Sequence, residues 1–140
     1  MANSQRHIHQ WKHNRDFLLT IPPQYPDWMV TASFYVALHA IDAMLAHDKV
    51  TVTNHDGRNR VLIQTNRYQF ISSKYLALYD LCRTIRYLAD PKKWVPLEKI
   101  EADVLKRYPY PIEQSVQKLI KQDLSFQPIR LQAAKNPPPA

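Results

Sequence analysis

Glycine is almost missing from this chain: Gly57 is the only one in 140 residues, where average usage of about 7% would supply roughly ten. One glycine cannot build the G-x-G-x-x-G or G-x-x-x-x-G-K-[ST] loops that cradle phosphates. It also argues against a hairpin-rich all-β fold, because tight hairpin turns need residues with positive φ. Cysteine is equally scarce. Cys82 stands alone, so no intrachain disulfide forms, and the expected compartment is the reducing cytoplasm. The start of the chain, Met1-Ala2-Asn3-Ser4-Gln5-Arg6-His7, is polar and does not read as a signal peptide. No apolar run approaches the ~20 residues of a membrane span, so no membrane partner is expected. No H-E-x-x-H pattern and no cysteine pair offers a zinc site, and no cofactor is expected.

Proline and positive charge are what the chain has in excess. Eleven prolines punctuate it, and 19 Lys+Arg against 12 Asp+Glu leave a net charge of +7. A basic balance suits a polyanionic partner such as nucleic acid. The length fits one domain that buries roughly two-thirds of its unfolded surface. An apolar share of 45% and a charged share of 22% are those of an ordinary globular protein.

Hydrophobic periodicity predicts six helical segments between the prolines. The first runs from Ser4 to Thr20, with Ile8, Trp11, Leu18 and Leu19 inward, and Pro22, Pro23 and Pro26 end it. The second starts at an Asp27 cap and runs to His47, with Trp28, Ala32, Tyr35, Val36, His39 and Ala43 on its inner stripe. Val50-Thr51-Val52-Thr53 reads as a short strand or an extended loop. Asn54-His55-Asp56-Gly57 is a turn and cap signal, opening a third helix that reaches about Gln69. The fourth carries the clearest seam: Ile71, Tyr75, Leu78, Cys82 and Ile85. Two shorter helices follow, Leu97 to Tyr108 and Ile112 to Leu124. The expected fold class is all-α: a bundle of four to five main helices with short extra C-terminal helices, over residues 1–126. Residues 127–140 turn polar and proline-rich and read as a flexible tail.

Several residues carry possible chemistry. His55 and Arg58, three apart at a helix start, face the same way. Imidazole and guanidinium beside a phosphate suffice for metal-independent RNA cleavage: His55 takes the 2′-hydroxyl proton and Arg58 holds the phosphorane. Read blandly, the same residues are a solvated polar cap. Arg60, Lys74, Arg83, Arg86 and Tyr87 form an approach surface for phosphate and a stacked base, or simply a solvated face. His39 and Asp42, also three apart, read as a structural or supporting pair in which the carboxylate raises the imidazole pKa. His9, His13 and Asp16 have a weak metal spacing, and no metal site is assigned. Cys82 sits in the core seam, which disfavours a nucleophile.

At this point the residues resemble a known family. The stretch from Asp27 to Ala46, with Phe34-Tyr35, Ala37, His39 and small residues after it, is similar to a helix of HEPN-domain proteins. Asn54-His55-Asp56-Gly57-Arg58-Asn59-Arg60 resembles their "S-H-x-x-R-N" helix start. Lys74 to Tyr87 resembles "Y-x-x-L-x-x-x-S-R-x-A-R-Y". The likeness covers residues 25–90. It implies an all-α bundle and, in many members, a metal-independent ribonuclease of a defence, CRISPR or toxin–antitoxin system working as a homodimer. The usual signature is Arg, four to six residues, then His; no His follows Arg58, Arg60 or Arg67 at that distance. Arg6 and His13 have the spacing but lie outside the matched region. The expected function is thus an RNA-associated defence or toxin–antitoxin-type protein, cleaving through His55 and Arg58 to leave 2′,3′-cyclic phosphate ends. The alternative is a non-catalytic module binding RNA, a nucleotide or a partner subunit from the same operon. A purely structural subunit would dock through the apolar surface of the last two helices.

Overall fold

A computed structural model of the chain describes residues 3–88 and 90–131. Its helices are α1 (Ser4–Thr20), α2 (Pro26–His47), α3 (His55–Gln64), α4 (Gln69–Leu88), α5 (Leu97–Ile100) and α6 (Pro109–Ile120). A 3₁₀ turn, Asn66–Tyr68, joins α3 to α4, and a π-helical turn, Glu101–Leu105, extends α5. No strand occurs among the described residues, and 50–53 run as a loop. The protein is an all-α helical bundle.

The bundle is built around α2, which packs against α1, α4 and α6. Small residues make this possible: Ser33, Ala37, Ala40 and Ala43 are fully buried and let neighbouring helices approach closely. Together with Val36, Ile41, Met44 and Leu45 they leave α2 apolar nearly all round, as a core helix should be. Its 22 residues, with a mean hydropathy of 1.5 over the most apolar window, are long and apolar enough to cross a membrane. The expectation that no run comes near that length is corrected here. Yet 78% of that window is buried inside the bundle, and neighbouring helices take the place a lipid would have. The α4 seam Ile71, Tyr75, Leu78, Cys82 and Ile85 points inward as expected, each residue no more than 5% exposed.

Several details of the sequence reading change: α3 ends at Gln64 rather than about Gln69, and the last helix runs Pro109–Ile120 rather than Ile112 to Leu124. Trp28 and Leu19, assigned to inner faces, are 56% and 48% exposed. Asp27 is not the cap of α2; Tyr25 holds that position, Pro26 opens the helix, and Asp27 lies in its first turn, where its charge complements the helix dipole. The flexible tail does not begin at residue 127. Residues 127–131 lie extended against the bundle and bury Ile129 and Leu131. Arg15 Nη2 donates to the Gln127 carbonyl at 2.6 Å, and the Leu131 N–H donates to Glu101. Residues 132–140 lie outside the described residues.

α6 presses Ile112, Val116 and Ile120 into the core beside α2 and α4, and Ile100 and Val104 do the same from α5 and its extension. These apolar faces are therefore covered within the chain rather than offered as a dock. With so little glycine, left-handed turn positions fall to Lys49, Lys121 and Ser125. Gly57 does not serve a turn. It sits in the first turn of α3, where a Cβ would lie 3.2 Å from the Asn54 side chain that caps the helix.

Asp48, just beyond α2, ties that helix end to the 3₁₀ turn. Its carboxylate accepts from Arg67 Nε at 2.9 Å and from the Tyr68 hydroxyl at 2.5 Å, with His47 Nδ1 at 3.1 Å. Burial alone would raise the Asp48 pKa, but the hydrogen bonds from Arg67, Tyr68 and His47 outweigh it and bring the pKa below the ordinary 3.8. Burial and the same carboxylate push Tyr68 up to about 12. A carboxylate with a depressed folded pKa stabilises the fold above its unfolded pKa and loses that contribution as pH falls through the folded one. Asp48→Asn should therefore be less stable than wild type at neutral pH. The gap should close below pH 3.8, as chemical denaturation at several pH values would show; a gap independent of pH would refute the assignment.

Candidate nucleic-acid interface

The start of α3 and the second half of α4 meet at a small cleft. Asn54 caps α3 by accepting the Gly57 N–H at 2.7 Å, which sets where the helix begins and turns His55 outward. His55 is exposed and its ring tilts against Tyr79 and Phe34, with centroids 5.5 and 6.1 Å away. From α4 come Tyr79, Cys82, Arg83, Arg86 and Tyr87, at steps of three and four that place them on one helix face. Together these residues enclose a cavity of about 70 Å³. Arg83 lies over the Tyr79 ring and Arg86 over the Tyr87 ring, 5.6 and 5.4 Å from the centroids. Tyr87 is 70% exposed, so one of its faces is open for stacking.

Arg58 points the other way. It is buried and clamped by Asp42: Nε donates to Oδ1 at 2.8 Å and Nη2 to Oδ2 at 3.1 Å. Burial alone would lower the Arg58 pKa, but the Asp42 carboxylate outweighs it and keeps the guanidinium charged. A guanidinium committed to a bidentate carboxylate is not open to a phosphate, which removes the expected clamp role. Its remaining Nη1 faces His55 Nδ1 at 3.4 Å. That contact is long for a hydrogen bond, and it turns the Nδ1 edge of His55 toward the Arg58 cation. The buried Tyr75 hydroxyl has no hydrogen-bond partner. Burial, with Asp42 close by, pushes its pKa up despite the opposing charge of Arg58.

The structure therefore gathers His55, Arg83, Arg86 and Tyr87 from the sequence reading and sets the others apart. Arg60 faces a separate shallow groove with Asp56, Asn59, Ile63 and Gln64. Lys74 lies over Phe70, 5.3 Å from the ring centroid. His39 is half-buried; burial lowers its pKa, and His7 and Arg58 add to the effect against the pull of Asp42. That reverses the expectation, because burial outweighs the pull of the Asp42 carboxylate. Cys82 is buried and its thiol is pushed up by burial, as its place in the seam implied. His9, His13 and Asp16 are exposed on α1 and form no ligand cluster.

Phe34 and Tyr79 were not singled out. Tyr79 could have been: it lies one turn before Arg83 on the same face. Phe34 had no such signal, since it reaches the cleft from α2. His7 was also missed, and lies against His39 with Nδ1 atoms 3.3 Å apart.

No family model, no curated protein and no solved structure matches this chain.

Proposed function

We propose that this protein is a non-catalytic RNA-binding module whose binding surface is the cleft between α3 and α4. One observation carries the reading: among the described residues Arg83 and Arg86 make no ion pair with any carboxylate, and they lie over the half-buried Tyr79 and exposed Tyr87 rings beside His55. Unpaired guanidinium groups receive phosphate, and the open face of Tyr87 receives an unstacked base. The net charge of +7 favours approach by a polyanion. The resemblance to HEPN-domain proteins adds the setting of a defence or toxin–antitoxin-type system and a homodimer that would double the cleft.

The cleavage reading keeps one support, the exposure of His55 in that cleft. It is the weaker reading because Asp42 holds the Arg58 guanidinium within the chain and the Nδ1 edge of His55 faces that cation. The test incubates purified protein with a mixed structured RNA in EDTA and measures binding by anisotropy at several salt concentrations. Binding that weakens steeply with salt, with intact RNA, is the expected result. Cleavage with 2′,3′-cyclic phosphate ends that His55→Ala abolishes would replace this reading by the ribonuclease. RNA neither bound nor cut would overturn both.

A further inference from the structure

Away from the cleft, α1 and α2 bring three metal-ligating side chains together. His7 on α1 and His39 and Asp42 on α2 each offer a ligand atom, and these atoms all lie within 4.8 Å of one another. The two imidazoles face through their Nδ1 atoms, 3.3 Å apart, with rings inclined by 28°. That separation is long for a hydrogen bond between two ring nitrogens. It is the separation a tetrahedral ion imposes: two nitrogens about 2.05 Å from one zinc-class ion stand about 3.3 Å apart. A right-angled pair at the same bond length would stand only about 2.9 Å apart.

We propose that His7, His39 and Asp42 bind one divalent transition-metal ion of the zinc class. The three ligands are held before any ion arrives. Ser4 Oγ donates to the Ala43 carbonyl at 2.9 Å and pins the start of α1 over α2, one turn from His7. His39 and Asp42 are three apart and share a face of α2. Arg58 holds both Asp42 oxygens, fixing the carboxylate while leaving each oxygen a further lone pair, as an outer partner of a metal ligand does. A cavity of about 440 Å³ reaches His7 and Asp42 from solvent. It gives an ion a way in and a place for water as the fourth ligand. The two imidazoles select a zinc-like ion over magnesium or calcium, which take all-oxygen ligand sets. The ion would join α1 to the central helix, so binding would also stabilise the fold by mass action.

The test uses the full chain stripped of metal with a chelator, then titrated with Co²⁺ followed by visible absorption, and with Zn²⁺ followed by calorimetry. One ion per chain with the intense visible bands of tetrahedral cobalt is expected, together with a thermal midpoint that rises with Zn²⁺ concentration. His7→Ala and His39→Ala should each weaken binding at least tenfold, whereas the His9→Ala/His13→Ala double variant should bind like wild type. Should a variant not fold, histidine NMR of the wild-type chain decides: Zn²⁺ shifting the His7 and His39 ring signals supports the site. The proposal is overturned by absence of stoichiometric binding, by a folded His7→Ala that binds like wild type, by loss of binding in the His9/His13 variant, or by shifts confined to other histidines. None of these readouts involves RNA.

Discussion

Glu113→Ala is expected to lower the stability of the fold by about 3–5 kcal/mol, the usual result of stripping a buried ion pair of one partner. Glu113 is fully buried on α6, and a single oxygen, Oε2, accepts from Trp11 Nε1 at 2.7 Å and from Arg15 Nη1 at 2.5 Å. Removing it strands the Trp11 donor in the core and leaves the Arg15 charge, only 13% exposed, with the Gln127 carbonyl and the face of the Phe126 ring as its remaining partners. The thermal midpoint should fall by roughly 10–17 °C. Glu113→Gln keeps an acceptor at the same place and should cost less than half as much.

The same pair has an unusual pH dependence. Burial raises the Glu113 pKa above the ordinary 4.5, with Arg15 and Trp11 pulling against it. A carboxyl with a raised folded pKa resists ionisation more in the folded chain than in the unfolded one. Its contribution to stability is fully present below pH 4.5 and declines as pH rises through the folded pKa. Wild type should therefore lose stability relative to Glu113→Gln across that window. Denaturation of both proteins from below pH 4.5 to neutrality checks it, and parallel curves would show that burial does not control this group.

The second large effect concerns the cleft. Arg83→Ala with Arg86→Ala should weaken single-stranded RNA binding roughly tenfold per arginine, the loss of one charge-assisted hydrogen bond each. The salt dependence should change as well. Each phosphate contact adds about 0.7 to the slope of log affinity against log salt for single strands, so the double variant should be shallower by about 1.4. Both arginines are exposed, and the fold should be unaffected. Arg60→Ala, on the separate groove, should bind like wild type. Equal losses in the Arg60 variant would mean that charge at large, rather than this cleft, attracts RNA.

Much of the fold follows from short-range rules. α1 begins and ends where the periodicity of Ile8, Trp11 and Leu18 and the prolines after Thr20 place it. The α4 seam is a repeat of steps of four and three that one helix displays by itself. The cleft was legible to the same extent: Arg83, Arg86 and Tyr87 share a face because helical geometry says so, and Asn54 with Gly57 marks the α3 start. The single glycine argued against a hairpin-rich β fold, and the helical periodicity between the prolines read as an all-α chain.

Tertiary structure decided the partners. Arg58 and His55 are three apart on one helix, which made them look like a catalytic pair. Asp42, 16 residues away, takes Arg58 into the bundle and leaves its neighbour facing out. His7 meets His39 across 32 residues and Trp11 meets Glu113 across 102. Residues 127–131, polar by composition, find a groove for Ile129 and Leu131 that no local pattern announces. Periodicity and capping act within about one turn of helix, so a sequence states which face a side chain occupies. Which group waits opposite depends on how the helices cross and on the depth of burial, where a lone charge must find its counter-charge. That is why the helices could be read from the residues, and why the roles of Arg58, His7 and Glu113 emerged only once the bundle had closed.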